Sequence, residues 1–216
     1  MLTPVIEDFF RLLVDALIYY HQQFISASSC ESVLSAAIST LTLEQYAPLT
    51  ATLHFLRDFL SYGTENPNSS TFDDNRPDSK PHNPAGIQQA VKHLIVSQGE
   101  VLVQRILTGM MFHFPRDCFA DASGVLLALF EIMPQQTALW VKATVGMLPS
   151  GTVKSGEADR LMNGIGQSIQ AGDTRKVRVA LQGVFLMISA KPEYLLRYFQ
   201  TSQLHIDGET LRLEKG

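Results

Sequence analysis

Two cysteines, Cys30 and Cys118, are all that the chain contains, and they lie far apart without metal-type spacing. They read as buried, reduced thiols of a cytosolic or nuclear protein. The histidines, at positions 21, 54, 82, 93, 113 and 205, include no i, i+3 or i, i+4 pair, so a helical zinc pair is excluded. No run of about 18 apolar residues is free of charge, and no transmembrane helix is expected. The opening "MLTPVIEDFF" has no basic region and meets Glu7 and Asp8 at once, unlike a signal or transit peptide. A basic face is missing as well: Lys and Arg number 17 against 21 Asp and Glu, for a net charge of -4. That balance argues against direct nucleic-acid binding and suits basic partners.

Reactive constellations are equally scarce. There is no Walker A sequence and no G-x-S-x-G elbow. "NGIGQSIQAG" at 163–172 imitates a dinucleotide fingerprint, but Ile169 stands where the third glycine belongs and no strand precedes it. His113 in "MMFHFPRDC" and Trp140 in "QQTALWVKATVGMLP" read as packed side chains, not as a ligand and an anchor. Met110, Met111, Met133, Met147, Met162 and Met187 suit irregular helix contacts better than a cofactor. No catalytic, cofactor-binding or metal-binding residue is therefore expected, and no enzyme.

What the sequence does have is apolar residues at helical spacing: 45% of the chain is hydrophobic and 18% charged, which excludes a disordered chain. Over 5–20, a rotation of about 100° per residue gathers Glu7, Asp8, Arg11 and Asp15 into one narrow arc. Val5, Phe9, Leu12, Leu13, Ala16, Leu17 and Tyr20 fill the rest, and Pro4 fits the first turn. In "TATLHFLRDFLSYG" (50–63), Thr50, His54, Arg57, Asp58 and Ser61 form the polar edge. Ala51, Leu53, Phe55, Leu56, Phe59 and Leu60 cover the remaining two-thirds. Arg57 and Asp58, adjacent in sequence, do not face each other on a helix, so Asp58 is expected to reach back to His54. Gly63 is expected to supply a left-handed C-cap.

Another helix is predicted from Ser28, which can form a capping box with Glu31, through Val33, Leu34, Ala37, Ile38 and Leu41. Further helices are predicted over 85–97, 99–112, 118–133, 135–147, 156–170 and 174–189, with no sustained period-two pattern. Between them lies "TENPNSSTFDDNRPDSKPHNP" (64–84), a polar stretch expected to be a disordered insertion. Its Asp73, Asp74 and Asp78 are candidates to brush a basic partner, though a solvated linker is the plainer reading.

Apolar arcs of roughly 220° exceed the stripe of about 100° that a helix needs to lie on one core surface. Such helices need neighbours on two or three sides. With helices of about 15 residues paired into units of roughly 40, the pattern fits an all-α solenoid of the HEAT or armadillo type. A compact helical bundle shares the same periodicity. The expected organisation is 1–63, first helical repeats; 64–84, insertion; 85–190, further repeats; and 191–216, a C-terminal segment with a frayed tail. Val5, Phe9 and Leu12 are expected to need a neighbouring repeat and, without one, to drive self-association.

Three segments, "VIEDFFRLLVDAL" (5–17), "PLTATLHFLRDFLSYG" (48–63) and "LLALFEIMPQQTALWVKATVGMLPSGTV" (126–153), resemble the C-terminal HEAT repeats of transportin-SR-type karyopherins. These are importin-beta-like import receptors, a group that includes the fungal mRNA transport regulators. The similarity extends through "ADRLMNGIGQSIQAGDTRKVRVALQGV" (158–184).

The resemblance implies an α-solenoid that shuttles between nucleus and cytoplasm, meets nuclear pore proteins, and carries protein cargo released by the GTP form of the small GTPase Ran. Implied cargos are RNA-binding proteins with basic, Arg-Ser-rich or Arg-Gly-rich segments. The family's main Ran-binding arch and its phospho-Arg-Ser-reading helix lie upstream of the matched segments, so no contact residue is carried over. An export receptor and a helical scaffold unrelated to transport share every compositional feature.

Overall fold

The computed structural model describes residues 3–65, 83–148 and 155–171, and within them the chain is all-α. Seven helices follow in order: α1 (Thr3–Ile25), α2 (Cys30–Thr40), α3 (Tyr46–Ser61), α4 (Ala85–Phe112), α5 (Phe119–Ile132), α6 (Pro134–Met147) and α7 (Ser155–Gln170). A 3-10 turn at Arg116–Cys118 leads into α5.

The packing order separates a stack from a bundle. Odd helices pack on odd, α1 on α3 and α3 on α5, while α2 packs on α4 and α4 on α6. Contacts of α2 with α3, α4 with α5, and α5 with α6 tie the two layers together, and α7 rests on α6. No substantial contact joins α1 to α6 or α7. The protein is an all-α HEAT-type solenoid, in which each unit buries its apolar surface on its neighbours.

The wide apolar arcs explain this arrangement. In α3, a central slab, Leu49, Leu53, Phe55, Leu56, Phe59 and Leu60 are all buried, because the helix has α1 on one flank, α5 on the other and the even layer beneath. Phe55 sits between Phe10 and Phe24 of α1, with ring centroids 5.5 and 6.2 Å away. Buried side chains from Phe10 to Ile165 form one continuous core along the stack.

Several local expectations are corrected. The capping box at Ser28 and Glu31 is absent: α2 starts at Cys30, and Ser29 precedes it at φ -77°, ψ -13° without a side-chain cap bond. Residues 26–30 form a tight turn directly off α1, with Ala27 N–H donating to Phe24 and Cys30 N–H to Ala27. Ser29 is thus held near helical angles, whereas a capping side chain needs an extended backbone.

Gly63 is not left-handed, and α3 ends on Tyr62 in the right-handed region. Its missing side chain serves packing instead, since a Cβ there would lie 2.9 Å from Ile132 Cδ1 of α5. The two helices expected at 85–97 and 99–112 are one, α4, running unbroken through Gly99. A glycine inside a helix costs only about 1 kcal/mol relative to alanine, which the tertiary contact described below outweighs.

Helix α1 extends beyond the expected 5–20 but kinks at Tyr20 (φ -137°, ψ 30°). A side chain intrudes there: the Tyr62 hydroxyl donates to the Leu17 carbonyl at 2.8 Å, the acceptor that would otherwise serve residue 21. The His21 ring then stacks on Tyr62 at 4.9 Å.

The edges of the polar insertion are tied together. Asn83, only 6% exposed, donates through Nδ2 to the carbonyls of Ser61 (3.2 Å) and Thr64 (2.8 Å). Its N–H donates to Glu65 at 3.1 Å. Residues 66–82, with Asp73, Asp74 and Asp78, lie outside the described residues, as do the helix expected at 174–189 and the tail.

Candidate interaction surface

The odd-numbered helices present a polar surface assembled from the edges that their apolar arcs leave over. On α1, Arg11 is paired with Glu7 one turn earlier at 2.6 Å, as the i, i+4 spacing requires. On α3, His54 and Arg57 point towards α5. His54 Nε2 lies 3.2 Å from Asp121 Oδ1, and Arg57 reaches the same oxygen through a terminal nitrogen at 3.8 Å.

Asp58 does not turn back to His54. Arg57 Nε donates to Asp58 Oδ1 at 3.2 Å, because the long Arg side chain folds back across the angle separating adjacent residues. Asp121 was not part of the sequence-level reading. Only the packing of α5 on α3 brings it opposite His54 and Arg57. Its single sequence signal is its place in the first turn of α5, where a carboxylate is favoured by the helix dipole.

A groove of about 530 Å³ runs between α1 and α3. Ala47, Ala51 and Val14 supply apolar lining, and Glu7, Asp15 and Asp58 supply carboxylates. A smaller hollow of about 170 Å³ lies between α3 and α5, lined by Gly124, Leu127 and Ala128. Arg57 lines both, so the two hollows form one polar-rimmed path across three successive helices. Along it, the carboxylates of Glu7, Asp15, Asp58 and Asp121 outnumber the guanidinium groups of Arg11 and Arg57. The path is therefore acidic. Individual exposed pairs of this kind contribute about 0–1 kcal/mol to stability, so the arrangement bears more on recognition than on folding.

Beneath the path, Thr50 Oγ1 contacts Cys118 Sγ at 3.6 Å. Burial pushes the Cys118 thiol above its ordinary value; the Thr50 hydrogen bond works against the shift, and Asp121 and Asp117 add to it. Burial pushes Cys30 up to about 11. Both are protonated at neutral pH and lack the thiolate that attacks substrates. The buried thiol form therefore favours the folded state below the reference value of 9.0, and that contribution is lost as pH rises through about 11. We expect alkylation of Cys30 in the native protein at neutral pH to proceed only at the rate of local unfolding. Rapid stoichiometric labelling would contradict the burial.

Elsewhere the candidate side chains are structural. His113 Nε2 bonds the Leu41 carbonyl at 3.1 Å, and its ring meets Phe114 edge-on. Trp140 is buried against α4 at Gly99. Among the described residues no group of three His, Cys, Asp or Glu side chains is placed to hold a metal ion. Within the same residues no helix is long and apolar enough to cross a membrane.

The fold and this surface define a stacked-helix repeat scaffold with a polar path along one layer. Residues 41–137, from the start of the α2–α3 turn to the first turn of α6, match the family model described as Importin 13 repeat. The match supports an importin-beta-like karyopherin HEAT region in this chain. An uncharacterized protein of Schizosaccharomyces pombe is 30% identical over 185 residues, which cover 84% of this chain. The chain spans 18% of the length of that relative.

Proposed function

We propose that this chain is part of a nuclear import receptor of the transportin-SR type, in the group of the fungal mRNA transport regulators. It binds protein cargo on the acidic path across α1, α3 and α5. The observation that carries the reading is the importin-type repeat over 41–137, which contains α3, α4 and α5 whole and so supplies the central part of that path. Cargo of matching chemistry is a basic segment, Arg-Ser-rich or Arg-Gly-rich, of an RNA-binding protein. Guanidinium groups would pair with Asp15, Asp58 and Asp121 while stems lie on the Ala47–Ala51 lining.

Release then requires Ran-GTP to favour a curvature of the stack that cargo disfavours, a coupling between two sites that acts equally in both directions. Contacts with nuclear pore proteins and shuttling between nucleus and cytoplasm belong to the same reading.

Fluorescence anisotropy with an arginine-rich peptide tests it. Asp58→Asn with Asp121→Asn should weaken binding about tenfold, the equivalent of roughly 1.4 kcal/mol, and rising salt should weaken it further. In the longest form of the protein, Ran-GTP should lower peptide affinity. A higher affinity with Ran-GTP would indicate an export receptor, and no effect a scaffold outside transport.

A further inference from the structure

Two of the three carboxylates that would meet basic cargo already hold a cation of the chain's own. Arg57 Nε donates to Asp58 Oδ1 at 3.2 Å, and its Nη1 stands 3.8 Å from Asp121 Oδ1. One guanidinium thus spans carboxylates from two helices, α3 and α5. An incoming arginine would make the same kind of charge-assisted contact with the same oxygens. His54 Nε2 shares the Asp121 oxygen at 3.2 Å. The Arg57 side chain is 36% exposed, against 24% for Asp58 and 22% for Asp121, so the cation is the outer member of the cluster.

Its hold is weak. The Asp121 contact is near the limit of ion-pair distance, and exposed pairs of this kind contribute little. A segment that presents several arginines at once gains effective concentration with each contact, so it can take the place of one internal side chain. The displaced side chain also has room. Arg57 lines the α3–α5 hollow as well as the α1–α3 groove. Below it stands Gly124, where even an added Cβ would meet Arg57 Cδ at an ordinary contact distance of 3.5 Å. Glu131 lines the same hollow and offers another carboxylate in that direction.

We propose that Arg57 is a resident competitor for basic cargo, holding Asp58 and Asp121 until a cargo guanidinium displaces it. The inference rests on the reading of the acidic path as the cargo surface and adds how its affinity is set. A competitor of this kind holds binding down without closing the path. It re-pairs with the two carboxylates as cargo departs, which favours release.

The test is fluorescence anisotropy with an arginine-rich peptide at one fixed pH and salt concentration. Wild type and Arg57→Gln are compared with and without Asp58→Asn and Asp121→Asn, and circular dichroism checks the helix content of each variant. Arg57→Gln keeps part of the stem and removes the cation. It should bind the peptide about fivefold more tightly than wild type, the scale of one exposed ion pair. That gain should vanish when Asp58→Asn and Asp121→Asn are both present, because nothing is then left to compete for. A gain of equal size in both backgrounds would show a general charge effect and overturn the proposal. Unchanged or weaker binding by Arg57→Gln would overturn it as well, the weaker case making Arg57 a support for the carboxylates. In all three cases wild type still binds, and the acidic-path reading stands. Absence of binding by wild type and Arg57→Gln alike overturns that reading and this inference together.

Discussion

Replacing Gly99 with alanine should lower stability by about 1–3 kcal/mol, the range for overpacking a well-filled core. On helix propensity alone the sign would be opposite, since alanine in a helix interior is better than glycine by about 1 kcal/mol. Packing wins because the new methyl has nowhere to go. A Cβ at residue 99 would lie 2.4 Å from Trp140 Cη2, 2.5 Å from Cζ3, and 3.2 Å from Ile95 Cγ2.

The obstacle is the rigid indole of a side chain only 6% exposed, and α6 would have to move as a body. Trp140→Ala should cost about 3–5 kcal/mol by leaving a cavity. The double variant should cost less than the sum, because the methyl then enters space that the indole has vacated. Urea denaturation of the four proteins checks this. Strict additivity would mean that the two residues do not meet.

Phe55→Ala should cost about 3–5 kcal/mol, as expected for a large aromatic truncated in a core. Phe55 is 1% exposed and packs on Phe10, Phe24 and Phe59, the last at a centroid distance of 6.0 Å. Three aromatic pairs converge on one ring, and two of them span the α1–α3 joint. The loss should therefore be local first. In a stack, each slab is held mainly by its nearest neighbour, so α1 should lose hydrogen-exchange protection well before α5 and α6. Uniform loss of protection over the described helices would show a cooperative globule instead.

The share of its relative that the chain spans sets the scale for the functional reading. The chain covers 18% of its Schizosaccharomyces pombe relative, and a solenoid's curvature is a property of many repeats. The acidic path across α1, α3 and α5 is thus one stretch of a surface that other repeats can lengthen. This is why the Ran-dependent arm of the binding experiment calls for the longest form of the protein.

The amino-acid sequence by itself determined the helices and the faces they bury. Periodicity at 50–63 sorted Phe55, Leu56, Phe59 and Leu60 from Thr50, His54 and Arg57, because a helix fixes the angle between residues whatever surrounds it. It also determined that several helices need partners on more than one side, which follows from the width of an apolar arc.

Only the tertiary structure decided what those faces meet. Asp121 is 64 positions from Arg57 and 67 from His54, and no local pattern links them; the α3–α5 packing does. Gly63 reads locally as a cap and Gly99 as the first residue of a separate helix, yet each is a space reserved for Ile132 or Trp140 on another helix. The backbone at Ser29 was likewise set by the turn off α1, not by its own capping propensity. Intrinsic preferences at such positions are worth about 1 kcal/mol or less, and a buried side chain arriving from a neighbouring helix outweighs them.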